Sequence, residues 1–166
     1  EMLWRILDGL RATYTLRKQN DLAIFFGKQA VNTIQGLRAR LTGLDQDLQR
    51  SFLGDKLEVY RGLSDALIAD GRLPEAQQVM LMLKEEEYFD FVRRDEKREN
   101  RTTQITYTDG EEPWRKRYAE ISAQLGALGA ELGELDRKAR TGLSEDETAR
   151  REKLRRSEEH TSELQS

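Results

Sequence analysis

Cysteine is absent from the 166-residue chain, which excludes disulfides, thiolate metal sites and a cysteine nucleophile within these residues. Histidine occurs once, at His160, and proline twice, at Pro74 and Pro113. Long apolar runs are missing too: Val79 to Leu83 spans five residues, against the roughly 20 needed to cross a bilayer. No membrane-spanning segment is expected. Nor is there a surplus of one charge sign, since 28 Lys plus Arg face 31 Asp plus Glu, interspersed along the chain. A nucleic-acid footprint would need a basic excess on one face, so no nucleic-acid partner is expected.

What remains is 37% hydrophobic and 36% charged residues, enough for one modest core with much solvated surface. Leu, Ala, Glu, Arg, Lys and Gln dominate, and this mixture favours helix at nearly every position. The fold class expected is all-α.

Leu3, Leu7, Leu10 and Tyr14 recur at helical spacing and predict a helix over about residues 2 to 17. Asn20 or Asp21 offers a cap for a second, long helix, whose stripe of Phe26, Ala30, Ile34, Leu37 and Leu41 runs to Gly43. A third run, Leu44, Leu48, Phe52, Leu57, Tyr60, Leu63 and Leu67, stops at Gly71, the residue suited to a left-handed position after a helix. Pro74 then fits the first turn of a fourth helix, and the short Gly71 to Pro74 link predicts an antiparallel turnaround. That fourth helix carries Ala76, Val79 to Leu83, Tyr88, Phe89, Phe91 and Val92, a nearly all-round apolar surface that predicts burial between neighbours.

From Asp95 to Tyr107 the pattern breaks, and Ile105-Thr106-Tyr107 reads as a short extended piece in a linker. Asp109 or Glu112 beside Pro113 opens a fifth helix. In it Trp114, Tyr118, Ile121, Leu125, Leu128, Leu132, Leu135 and Ala139 alternate spacings of four and three, the a/d seam of a coiled coil. Gly142 closes that helix and Ser144 to Glu147 forms a capping box for a sixth, so an antiparallel hairpin is expected, with a second arm that is cut short. The domains expected are helical pairs over 1–95, a linker over 96–110, a coiled-coil hairpin over 111–155 and a tail over 156–166. The tail, RSEEHTSELQS, resembles the conceptual translation of a short-read sequencing adapter, which removes His160 from interpretation. At the other end the helical pattern is already under way at Glu1, so a true N-terminus and any targeting signal are expected upstream.

Two helix pairs resemble tetratricopeptide repeats, in which small and large residues alternate at fixed offsets. Tyr60, Leu63, Ser64, Ala66, Leu67, Gly71, Leu73, Ala76, Met80 and Leu83 carry the better match, and Leu7, Leu10, Tyr14, Ala23, Gly27 and Ala30 the other. Ala23 and Ala76 lie 53 residues apart rather than 34, a departure from a tandem array. More widely, DLAIFFGKQAVN, GRLPEAQQVM, LKEEEYFDFVRRD and EEPWRKRYAEI resemble the region preceding the peptidase domain of bacterial tetratricopeptide-CHAT proteins. The resemblance implies a parent with a caspase-like cysteine peptidase downstream, using a His/Cys pair that has no counterpart here. The chain is therefore expected to be non-catalytic, a cytoplasmic interaction or scaffold segment whose partner is a protein, a peptide or the parent's own peptidase domain. A coiled-coil adaptor driving self-association is the alternative.

No catalytic, cofactor-binding or metal-ligating residue is expected, and no cofactor. The basic cluster Arg93, Arg94, Lys97, Arg98 and Arg101 is interleaved with Asp90, Asp95, Glu96 and Glu99 and reads as a solvated, mutually paired helix end. Glu85, Glu86 and Glu87 point about 100 degrees apart in a helix and cannot converge on one ion. Tyr88, Phe89 and Phe91 read as core. The positions that would line a carboxylate clamp hold Asp8, Ala12, Arg61 and Asp65, not the lysines and asparagines such a clamp uses.

Overall fold

A computed structural model describes residues 2–41, 56–92 and 104–163, with side chains over 2–37, 56–85 and 104–157. The described residues are all-helical, with no strand among them. Among the described residues six helices run in order: α1 (Leu3–Leu16), α2 (Asn20–Leu41), α3 (Leu57–Ala69), α4 (Leu73–Val92), α5 (Glu112–Lys138) and α6 (Glu145–Glu163). The chain divides into two compact units, Glu1–Glu112 and Pro113–Ser166.

In the first unit α1 packs on α2, α2 on α3 and α3 on α4. The turn after α1 is closed by the amide of Gln19 donating to the Tyr14 carbonyl at 3.0 Å, with Lys18 left-handed at φ 57°. After α3 the same wrapping recurs at Gly71 (φ 74°), where Arg72 N–H donates to the Leu67 carbonyl at 2.8 Å. Glycine accepts that conformation without Cβ strain, and lysine does not.

The core of this unit is Trp4, Leu7, Ile24, Val31, Ile34, Val59, Tyr60, Leu63, Leu67 and Val79, with Ala23, Ala30, Ala66 and Ala76 letting the helices approach. Two expected stripes are corrected. Leu3 is exposed and Trp4 takes its place beside Leu7, while Leu10 and Tyr14 of the expected stripe are half-covered. The apolar run of α4 is not buried all round: Val79, Met82 and Leu83 are inside, whereas Met80 and Leu81 are exposed, as one covered face requires. Residues 42–55, which hold Leu44, Leu48 and Phe52, and the side chains of Leu41, Tyr88, Phe89, Phe91 and Val92 lie outside the described residues.

Residues 104–111 depart from the linker expected over 96–110. They belong to the first unit and lie along α2, with Ile105 fully buried and Tyr107 half-buried 6.0 Å from the Phe25 ring. Alternation places Ile105 and Tyr107 inward and Thr106 outward, the pattern of an extended chain with one covered face.

The second unit holds α5 and α6, joined through residues 139–144. The capping box forms as read: Ser144 N–H donates to Glu147 Oε2 at 3.0 Å, and Glu147 N–H donates to Ser144 Oγ at 3.3 Å. The two helices are linked by ion pairs of Arg150 with Glu131, of Arg151 and Arg155 with Asp136, and of Lys138 with Glu147. Leu154 of α6 is buried, and Leu132, Leu135 and Ala139 of α5 are half-covered. Further toward the start of α5 the seam is bare: Ile121 is 42%, Leu125 62% and Leu128 40% exposed.

Candidate functional site

The densest polar cluster of the first unit is built on α2, whose Lys28, Asn32 and Gln35 share one stripe at spacings of four and three. That stripe faces inward. Gln35 donates to the Tyr60 hydroxyl at 2.9 Å, tying α2 to α3. Asn32 grips the extended segment as another strand would: its Nδ2 donates to the Ile105 carbonyl at 3.0 Å, and Ile105 N–H donates to its Oδ1 at 2.8 Å. The same amide nitrogen reaches the Tyr107 hydroxyl at 3.0 Å.

Lys28 is the centre. Its side chain is 0% exposed, a position an ammonium occupies only when paired and hydrogen-bonded. Its three N–H donors find three acceptors: Glu75 Oε2 at 2.5 Å, Glu111 Oε2 at 2.8 Å and the Thr106 carbonyl at 3.0 Å. Arg72 completes the cluster from the turn before α4. It donates through Nε and Nη2 to both oxygens of Glu75 at 2.6 and 2.8 Å, and its Nη1 lies 2.8 Å from Glu111 Oε1. Glu111 Oε2 also accepts the Thr108 N–H at 2.9 Å, which fixes the bend leading into α5. Two cations and two anions thus balance.

Burial by itself pushes the Glu75 carboxyl up, but hydrogen bonds from Arg72 and Lys28 outweigh it and hold the group below its ordinary value. Glu111 follows the same logic, with the Thr108 N–H helping Lys28 and Arg72. Arg72 is raised, chiefly by its hydrogen bond with Glu75. Both carboxylates are therefore ionised at neutral pH, and each charge is engaged by another within the cluster. Such an arrangement is a clasp rather than a proton-transfer site: it joins α2, the start of α4 and residues 104–111.

A second polar insertion lies between α1, α2 and α3. Arg11 pairs with Asp8 at 2.5 Å, and its side chain lies against two glycines. A Cβ on Gly62 would sit 2.5 Å from Arg11 Cζ, and one on Gly27 would sit 2.8 Å from Leu63 Cδ1 and 3.1 Å from Arg11 Cδ. Of the four clamp-equivalent positions, Asp8 is thus used by Arg11, and Arg61 pairs with Glu58 at 2.5 Å.

Comparison of the chain with family models, with curated proteins and with solved structures gives no match. Among the described residues no group of three His, Asp or Glu side chains is placed to hold a metal ion, and no helix is long and apolar enough to cross a membrane. The basic cluster from Arg93 to Arg101 and the side chains of Glu86 and Glu87 lie outside the described residues, while Glu85 is exposed. Sequence reasoning missed Lys28, Arg72, Glu75 and Glu111 altogether. One signal was present: Lys28 lies four residues after Ile24 and three before Val31, on the face that must be covered.

Proposed function

We propose that this chain is a protein-interaction scaffold within a larger tetratricopeptide-CHAT protein, in a cytoplasmic setting, and that it positions or regulates a caspase-like cysteine peptidase downstream without catalysing anything itself. The observation that carries the reading is the clasp. Its residues fall in three of the four stretches that resemble that family: Lys28 and Asn32 in DLAIFFGKQAVN, Arg72 and Glu75 in GRLPEAQQVM, and Glu111 at the head of EEPWRKRYAEI. Unusual strings that serve one buried network are what a shared architecture would preserve. The helix pairs α1/α2 and α3/α4, held together by that network, supply a stiff body suited to displaying a surface.

The test has two parts. The gene should encode a His/Cys peptidase domain beyond this region, and that domain, expressed separately, should bind this chain in calorimetry. A downstream reading frame without such a domain, or no heat of binding to it, defeats the proposal. Turnover of a peptide substrate by the chain alone would defeat its non-catalytic part.

A further inference from the structure

Ten consecutive residues of α5, Ile121 to Ala130, carry no charge, and all ten are exposed. In a chain that is 36% charged, an uncharged exposed turn-after-turn surface is a docking face rather than a solvated one. Its seam residues Ile121, Leu125 and Leu128 are at a and d positions, while the flanking positions hold Ser122, Gln124 and Gly129. A Cβ built on Gly126 or Gly129 meets nothing within 4 Å, so a second helix could come close.

We infer that the occupant of this face is a second copy of the same chain, paired antiparallel through α5. The charges on the two sides of the bare stretch differ in balance. Before it Arg115, Lys116 and Arg117 outnumber Glu120, which Arg117 holds at 3.4 Å, and after it Glu131, Glu134 and Asp136 outnumber Arg137 and Lys138. When Ile121 of one copy meets Leu125 of the other, Tyr118 meets Leu128, Arg117 lies across from Glu131, and Gln124 lies across from its own symmetry mate. The contact is then isologous, so each favourable pair occurs twice. A parallel pair would instead set Glu131 beside Asp136 and the basic turn beside itself. The antiparallel register also uses the part of α5 that α6 leaves bare. Glu131 already holds Arg150 at 2.7 and 2.8 Å, but a carboxylate has about four lone-pair sites and can accept further donors.

This inference rests on the scaffold reading for its purpose and not for its evidence. The absence of native cysteine makes the test clean. In the full chain, Gln124→Cys should join two copies through a short bifunctional thiol reagent. Leu128→Cys should not, because its symmetry mate is ten residues, about 15 Å, away along the helix. Sedimentation equilibrium should give twice the 19.3 kDa chain mass. Leu125→Asp should return the chain to monomer, Arg117→Glu should weaken association at least tenfold, and adding Glu131→Arg to Arg117→Glu should restore it. Circular dichroism of each variant guards against unfolding as the cause. Wild-type monomer at high micromolar concentration, or cross-linking at Leu128→Cys in place of Gln124→Cys, overturns the inference. A monomer that still binds the peptidase domain would sink self-pairing alone. A dimer that does not bind it would sink only the scaffold reading.

Discussion

Lys28 Nζ donates to Glu111 Oε2 at 2.8 Å across 83 residues of sequence, with both side chains almost wholly withdrawn from water. A pair so placed is costly to break on one side, because the surviving charge stays buried without its partner.

Glu111→Gln should therefore cost the first unit about 3 kcal/mol or more. Urea unfolding followed by circular dichroism gives the value. A loss of only a few tenths, the scale of an exposed pair, would contradict the buried clasp.

Acid should act through the same groups. Glu75 and Glu111 are held below the ordinary 4.5 in the folded chain, so their stabilisation is complete above that value and is lost as pH falls through the lowered folded values. Wild-type stability should decline from about pH 4.5 downward, and Glu111→Gln should decline less steeply. Equal slopes would show that the clasp is not what titrates.

Asn32→Ala should release residues 104–108 locally. The Ile105 amide, bound at 2.8 Å to Asn32 Oδ1, should then exchange its hydrogen much faster while amides in α3 keep their protection. Unchanged exchange at Ile105 would mean that something other than Asn32 holds the segment.

Gly27→Ala and Gly62→Ala should separate two kinds of close approach. The first meets Leu63, a fully buried core residue at 2.8 Å, and should cost about 1 to 3 kcal/mol. The second meets only the end of Arg11, which can swing away, so thermal unfolding should show the smaller shift.

Lys18→Gly should stabilise the chain by about 1 kcal/mol, because the left-handed φ of 57° strains a residue with a Cβ. A fall in melting temperature would show that the lysine side chain contributes more than the strain removes.

Much of this architecture was legible locally. Gly71 with Pro74 marked one reversal, Ser144 with Glu147 marked the start of α6, and the leucine spacing marked α5, because caps and turns are decided by residues a few positions apart. The covered face of α4 was not legible, since Met80 and Leu81 are as apolar as Val79 and only the neighbouring helix decides which point outward. The clasp was hidden for a further reason. Lys28, Glu75 and Glu111 look like ordinary solvated charges until residues 47 and 83 positions apart are brought together. Ile105-Thr106-Tyr107 was readable as extended, but nothing nearby in sequence says which helix it lies on.

The clasp also has a mechanical side. Glu111 immediately precedes the first residue of α5, so tension entering the chain from beyond Glu112 reaches the clasp at Glu111 before it reaches any hydrophobic contact of Ile105. The ion pairs of Lys28 and Arg72 act there as a strain relief, like the grip where a cable enters its housing. A tug on α5 would load two short salt links and one backbone hydrogen bond at Thr108 before the helical body behind them.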